Sequence, residues 1–444
     1  SGTRAWGGIL NPLYRGMAPK ATLIVNDFSN ILVNTAIYSA DFNMVLSNNS
    51  YYNGLAGCSG EADYDALSNF VDSELIAFPK VLHVFAAGND GGITCSPFPA
   101  AFGNIKTGFQ TAKNVLTVGG INNSNYEVYA GSSRGPVADG RIKPEVVAGA
   151  VNIVSTFPYN GYGYSSGTSM ASPTATGILA LLYERYRQLH GGADPDAALI
   201  KALVSNSADD VGNPGPDFTF GFGMINARTS VEAMEQNHYF TGSVSNNGNA
   251  SCTIPAVPAG AYQVKIMLYW PDPAAQPFAA GTLVNDLDLT VTDPSGTHHL
   301  PMILDPSPAN VNNNAVEGPD HRNNIEQVVI NNPPAGSFTV SVQGTAVAQG
   351  AQPFYIAYEI IRPSVTVEYP FGTETLVPGE SAVLRWSAYG GDSDPFTLEY
   401  STDGGGSWNL ISNSVPPTSR SFAWTVPNVV SKNSLIRVTR NTSG

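Results

Sequence analysis

The sequence predicts a mostly parallel α/β domain with helices on both faces of its sheet, followed by two all-β sandwich domains. Three observations carry this. Up to about residue 236, continuous apolar runs alternate with segments of helical spacing, the pattern of strands buried on both faces. From 237 to 363 the helical spacing stops, and short alternating strands follow one another between Pro, Gly and Asn turns. From 364 to 444, further short strands recur around Trp386, as in a small immunoglobulin-like or fibronectin-like sandwich.

In the first domain (1–236), residues 21–26 (ATLIVN) read as an apolar strand, 42–46 as a second, 81–87 (VLHVFAA) as a third and 115–119 as a fourth. Leu67, Phe70, Val71 and Leu75 recur at spacings of three and four and predict a helix over 62–76. Ala175, Ile178, Leu179, Leu182 and Tyr186 predict a longer buried helix over 170–188. In the second domain (237–363), strands are expected over 262–269, 287–292, 327–330, 338–343 and 354–360. In the third (364–444), they are expected over 365–369, 381–387, 397–401, 421–426 and 435–439, with a hairpin turn at Asp403-Gly404-Gly405-Gly406.

Composition narrows the function. Lys and Arg number 21 against 35 Asp and Glu, so the net charge is 21 − 35 = −14, a surface that repels nucleic acid and anionic membranes. No apolar run approaches the ~20 residues of a spanning helix. Only 13% of residues are charged while Gly numbers 45 and Pro 32, which suits a loop-rich secreted or cell-surface protein. Of Cys58, Cys95 and Cys252, the first two lie in loops of one domain; their spacing matches no metal motif and leaves their pairing open.

The chemistry concentrates at Gly167-Thr168-Ser169-Met170-Ala171-Ser172-Pro173. Ser169 stands at the start of the long helix, where unpaired N–H groups and the positive dipole end favour the oxyanion that nucleophilic attack creates. The heptapeptide resembles the nucleophile motif of the subtilisin-like serine peptidases. The resemblance implies that Ser169 is the nucleophile of an acyl-enzyme mechanism acting on protein or peptide substrates, with no cofactor needed for the chemistry.

Other segments carry the resemblance further. Ala86-Ala87-Gly88-Asn89 is similar to the family's oxyanion segment and implies that Asn89 donates to the oxyanion, with Gly88 beside the substrate. Asn49-Ser50-Tyr51 resembles the strand that pairs with substrate backbone, which implies that Ser50, Tyr51 and the following Tyr52 line the substrate cleft. Tyr52 departs from the Gly often found there, so the family's specificity does not transfer. Residues 15–21, 133–136, 139–145 and 220–227 match further family segments.

The largest departure is at the start. Ser1-Gly2-Thr3-Arg4-Ala5-Trp6-Gly7 lines up with the family's His-Gly-Thr-His-Val-Ala-Gly, so Ser1 falls where the catalytic His is expected, and no strand bearing the catalytic Asp is present. His83 reads as a core histidine and His190 as the end of the long helix; His238, His298, His299 and His321 lie beyond the domain. The expectation is a secreted serine endopeptidase without its Asp and His segments, inactive as it stands. The competing class is a non-catalytic adhesive protein on a remnant peptidase scaffold.

Residues 283–289 (LVNDLDL) and 322–326 (RNNIE) resemble the C-terminal jelly-roll domain of a subclass of alkaline subtilisin-like proteases. Asn285, Asp286 and Asp288 offer oxygens of the kind that Ca²⁺ takes; the other reading has these carboxylates capping turns and pairing with Arg322. The third domain carries nothing catalytic and is expected to meet a cell-surface or polymer target.

Overall fold

A computed structural model describes residues 15–52, 58, 62–159, 161–372, 374–391 and 393–441. The chain forms two compact units. The first takes Ser1–Ala256, Lys265–Ile330 and Ser337–Glu359; the second takes Val257–Val264, Asn331–Gly336 and Ile360–Gly444.

The first unit is built on four parallel strands, β1 (Leu46–Asn49), β2 (Leu82–Ala86), β3 (Leu116–Ile121) and β4 (Val146–Gly149), in that spatial order. β2 and β3 are buried throughout, as continuous apolar runs in a doubly covered sheet require. Helix α1 (Thr35–Phe42) precedes β1, and α2 (Ala66–Ala77) lies between β1 and β2. Phe85 of β2 packs with Val71 and Leu75 of α2, Phe109 and Val115 on one face. On the other face Leu82 and Val84, with Leu116, Val118 and Val146, meet Ala171, Ala175, Ile178, Leu179 and Leu182 of α3 (Thr168–Leu189). Strand alternation therefore sends successive β2 residues to different helices. Asp65 starts α2 with a capping box: its Oδ1 accepts from the N–H groups of Leu67 and Ser68, and the Ser68 hydroxyl bonds back to Asp65 N–H.

The strand expected over 42–46 begins only at Leu46, because α1 runs to Phe42, and another expected strand is absent. Residues 21–26 form no strand or helix, and Leu23 and Val25 are 48% and 83% exposed. The apolar run has the composition of a strand, but a parallel strand needs a neighbour's N–H and C=O groups. Among the described residues β1 is the edge of the sheet, with β2 as its partner.

Helices α4 (Ala197–Asn206) and α5 (Ala227–Glu235) complete the α/β part. Two four-stranded sheets follow in the same unit. One runs in the order Ile325–Asn331, Gln263–Tyr269, Gln352–Ile361, Tyr239–Val244; the other His298–His299, Asn285–Thr292, Gly336–Val347, Asn249–Val257. Met267 and Tyr269 join the core of the α/β part, and Lys265 Nζ donates to the carbonyl of Ala208 at 2.9 Å. Odd positions of that strand thus face the α/β part, while Ile266 and Leu268 are buried on the opposite face. A buried polar seam adds to the attachment. Lys113 and Asp272 form an ion pair with both side chains fully buried; Asn114 Nδ2 donates to Asp272 O at 2.9 Å, and Ile142 N–H to Asn323 Oδ1 at 2.8 Å. The boundary expected at 236/237 lies inside this unit.

In the second unit, Ser364–Tyr369, Ser381–Tyr389 and Ser421–Thr425 form one antiparallel sheet; Asn409–Val415, Phe396–Ser401 and Leu435–Arg440 form another. Trp386 is buried among Leu384, Phe396, Leu398 and Val415, its ring edge-on to Phe396 at 5.5 Å. Asp403 Oδ1 closes the expected turn by accepting from Ser407 N–H at 2.9 Å and the Ser401 hydroxyl at 2.7 Å.

Candidate active site

Two chain ends converge above the parallel sheet: the carboxyl end of β2, leading into Gly88 and Asn89, and the amino end of α3. Gly167 makes the entry to α3 with φ +151, a conformation that favours glycine, and its N–H donates to Ala150 O at 2.9 Å. Ser169 follows within the first turn, half-buried, where amides have no intrahelical acceptor.

Asn89 is tied to this turn. Its Oδ1 accepts the Thr168 N–H at 2.9 Å, and the Thr168 hydroxyl lies 3.2 Å away. An amide whose oxygen is held in this way turns its NH₂ to the other side. Gly88 sits beneath. Its carbonyl accepts from Ser133 N–H at 3.0 Å and from the Thr168 hydroxyl at 3.1 Å. It is buried, with φ +120, and a Cβ there would stand 2.7 Å from Ser133 Oγ and 2.9 Å from Lys106 Cγ. Gly88 is thus a packing position under the site.

Ser50 reaches the nucleophile's own residue: its hydroxyl donates to the main-chain carbonyl of Ser169 at 3.0 Å. Asn48, unmarked in the sequence reading, fastens β1 to α3, for its Oδ1 accepts from Ser172 Oγ at 2.8 Å and its Nδ2 donates to Ser50 Oγ at 3.3 Å. Tyr51 points into the core, its ring near Phe28, Phe85 and Phe109 and its hydroxyl donating to Asn49 Oδ1 at 2.8 Å. Burial, with Glu74 nearby, pushes that phenol up to about 12. Tyr52 is half-exposed and has the Lys106 ammonium 4.9 Å from its ring centre, with Lys106 also paired to Asp90. Thr168 and Lys106 were missed because their roles depend on partners some 80 and 54 residues away, Thr168 against Gly88 and Lys106 against Tyr52.

The chain has six histidines, and all lie among the described residues. His83 is buried with Nδ1 2.7 Å from Ser47 Oγ and Nε2 3.3 Å from Glu74. His190 stacks on Tyr186, and His238 on Tyr358. His298 bonds Thr292, His299 lies against Asp293 and Glu317, and His321 against Asp286 and Asp288. Each imidazole thus has partners other than Ser169. The Ser1–Gly7 match falls outside the described residues. Cys58 and Cys95 form a disulfide with Cα atoms 5.2 Å apart.

The expected oxygen cluster is corrected. Asp286 and Asp288 share one face of their strand, but Asn285 faces the other way, fully buried, its Nδ2 donating to Gln352 Oε1 at 2.7 Å and its Oδ1 accepting from Gln349 N–H at 3.2 Å. Period-two alternation separates it from Asp286. His321 takes its place beside the two carboxylates.

Known proteins resemble the chain over this region. The model described as Subtilase family matches residues 1–223. The chain is 25% identical over 423 residues to a serine protease/ABC transporter B family protein of Dictyostelium discoideum, covering 81% of the chain and 24% of that protein. It is 32% identical over 179 residues to the serine protease AprX of Bacillus subtilis, covering 34% of the chain and 38% of AprX. It is 36% identical over 94 residues to an extracellular serine protease of Serratia marcescens, covering 19% of the chain and 8% of that protein. The chain thus spans well under half the length of each. Among the described residues, no helix is long and apolar enough to cross a membrane.

Proposed function

Since the chain belongs to the subtilase family, we propose that it is the serine-bearing part of a secreted endopeptidase that cleaves peptide bonds through an acyl-enzyme on Ser169. The observation that carries this reading is the Thr168 N–H to Asn89 Oδ1 bond at 2.9 Å, which leaves the Asn89 NH₂ beside the start of α3. Attack by the Ser169 hydroxyl on a peptide carbonyl forms a tetrahedral oxyanion; Asn89 and the first-turn N–H groups stabilise it, and the amine then leaves with a proton. That proton needs an imidazole, and the six histidines are engaged elsewhere. In this reading the base and its orienting carboxylate come from chain upstream of Ser1, and the 444 residues alone are inactive. The division at 236/237 and 363/364 belongs to the same proposal, with the last part meeting a surface or polymer target.

Secretion is supported by the Cys58–Cys95 disulfide, since such bonds persist in oxidising compartments, and by the extracellular Serratia relative. The test compares the 444-residue chain with one extended upstream by its natural sequence, each treated with a fluorophosphonate. Labelling of the extended chain at Ser169, lost in Ser169→Ala and absent from the shorter chain, is expected. A folded extended chain that takes no label would replace the peptidase reading with a non-catalytic scaffold.

A further inference from the structure

On the strand Asn285–Thr292 a half-buried row carries Asp286 and Asp288. His321 Nδ1 lies 2.9 Å from Asp286 Oδ2 and 3.5 Å from Asp288 Oδ1, and one donor atom from each residue lies within 4.8 Å of the others. Two donors bound tetrahedrally to one small divalent ion at about 2.0–2.2 Å stand roughly 3.4 Å apart. The 3.5 Å contact matches that spacing, and the 2.9 Å contact is an imidazole–carboxylate hydrogen bond.

A second observation points the same way. Oδ1 of Asp286, Oδ1 of Asp288 and Oε1 of Glu326 are buried and accept no hydrogen bond among the described residues. Glu326 is only 1% exposed, and its Oε2 accepts from Leu289 N–H at 2.8 Å, which holds the carboxylate next to Asp288. Burial first, and then the charges of Asp320, Asp288 and Asp286, push its carboxyl well above the ordinary range. Asp320 has its own partners, the N–H groups of Arg322 and Asn323 and the Asn323 side chain. The second oxygen of Asp288 accepts the Thr345 hydroxyl. Of the cationic groups that bear on these carboxylates, Arg322 acts on Asp320 and on Asp305, and His321 acts on Asp286. Buried carboxyl oxygens of Asp286 and Glu326 without a donor are costly, and a cation bound beside Asp288 and His321 would relieve that cost.

We propose that Asp286, Asp288 and His321 bind one divalent first-row transition ion of the zinc class, with the buried Glu326 carboxyl beside the cluster. The imidazole decides the class. Calcium takes oxygen ligands, whereas mixed imidazole and carboxylate donors suit zinc and its neighbours. The ion joins the Asn285–Thr292 strand to the segment entering the Ile325–Asn331 strand of the other sheet, so it is a structural clasp.

The test uses the whole chain after chelation and needs no peptidase activity. Calorimetric titration with Zn²⁺ should show one saturable site that raises the unfolding temperature as the free ion increases. Co²⁺ should give an absorption spectrum of a nitrogen-bearing low-coordinate site. His321→Ala and Asp288→Asn should weaken Zn²⁺ binding by at least about tenfold, and Glu326→Gln by about 10–100-fold. His298→Ala should leave it unchanged, and His321 is exposed enough for its variant to fold. Absence of saturable Zn²⁺ binding, or binding indifferent to both His321→Ala and Asp288→Asn, would falsify the site. Calcium binding as tight as zinc and surviving His321→Ala would show an oxygen-only site and overturn the assignment of the ion.

Discussion

The Ser50 hydroxyl donates to the carbonyl of Ser169 at 3.0 Å, on the acceptor that Pro173 leaves open inside α3. Proline has no N–H, so the carbonyl four residues before it lacks an intrahelical donor. The residue after β1 supplies the missing bond, and the carbonyl of the proposed nucleophile is fixed by the segment expected to hold substrate.

Ser50→Ala should therefore cost about 0.5–1.5 kcal/mol of stability, the ordinary worth of such a bond. In a Pro173→Ala background the helix regains an N–H for Ser169 O, and the same change should cost close to nothing. Urea unfolding of the four proteins measures this; an equal cost in both backgrounds would show that the two residues are not coupled.

The buried pair Lys113 and Asp272 predicts an asymmetry. Lys113→Met alone should destabilise the first unit by about 3–5 kcal/mol, because Asp272 stays buried with its countercharge removed. Changing both to apolar residues of similar volume should recover most of the loss. If the double variant is as unstable as the single one, the penalty comes from packing and not from an uncompensated charge.

Lys143 gives a dependence on pH. Burial lowers its pKa from 10.5 to about 7, against the pull of Glu145 and with the help of the neighbouring Lys201 charge. Below about pH 7 the folded protein carries the full penalty of a buried ammonium. Between about 7 and 10.5 the unfolded chain binds the extra proton, so stability contributed by this group rises with pH by up to about 1.4 kcal/mol per unit. Lys143→Met leaves Glu145 with Lys201 at 2.7 Å and Thr117 N–H at 2.7 Å. The variant should be the more stable protein at pH 6, with its advantage shrinking toward pH 10. Denaturant midpoints across that range would refute this if the difference stayed constant.

The parts written locally were the legible ones. The apolar spacing from Ala175 to Tyr186 predicts a helix over 170–188, and α3 runs over Thr168–Leu189. The run 81–87 becomes β2 because a strand buried on both faces needs nothing but apolar residues. Residues 21–26 have the same character and form no strand, since pairing depends on a neighbour and not on the run itself. Alternation within LVNDLDL already places Asn285 opposite Asp286 and Asp288, a signal that reading the three as one cluster overlooked. His321, 35 residues from Asp286, and Asp272, 159 from Lys113, meet their partners only through the packing of sheets. Ser169 and Asn89 were marked through a resemblance; that Thr168 joins them was not.

This junction yields the sharpest expectation. In a chain extended upstream so that Ser169 reacts with a fluorophosphonate, Asn89→Ala removes the proposed oxyanion donor. Loss of that kind of donor in subtilisin costs about 10²–10³ in turnover, and a similar fall in labelling rate is expected here. Thr168→Val keeps the N–H that holds Asn89 Oδ1 at 2.9 Å and removes only the hydroxyl at 3.2 Å. It should slow labelling far less, because the amide stays oriented. Asn89→Asp retains the acceptor toward Thr168 N–H but sets a negative charge where the oxyanion forms, so it should react at least as slowly as Asn89→Ala while remaining folded. Rates ordered in this way, with unfolding temperatures close to that of the parent, separate a donor from a structural tether. Should Asn89→Asp label as fast as the parent chain, Asn89 acts only by holding Thr168, and the oxyanion is met by the helix N–H groups alone.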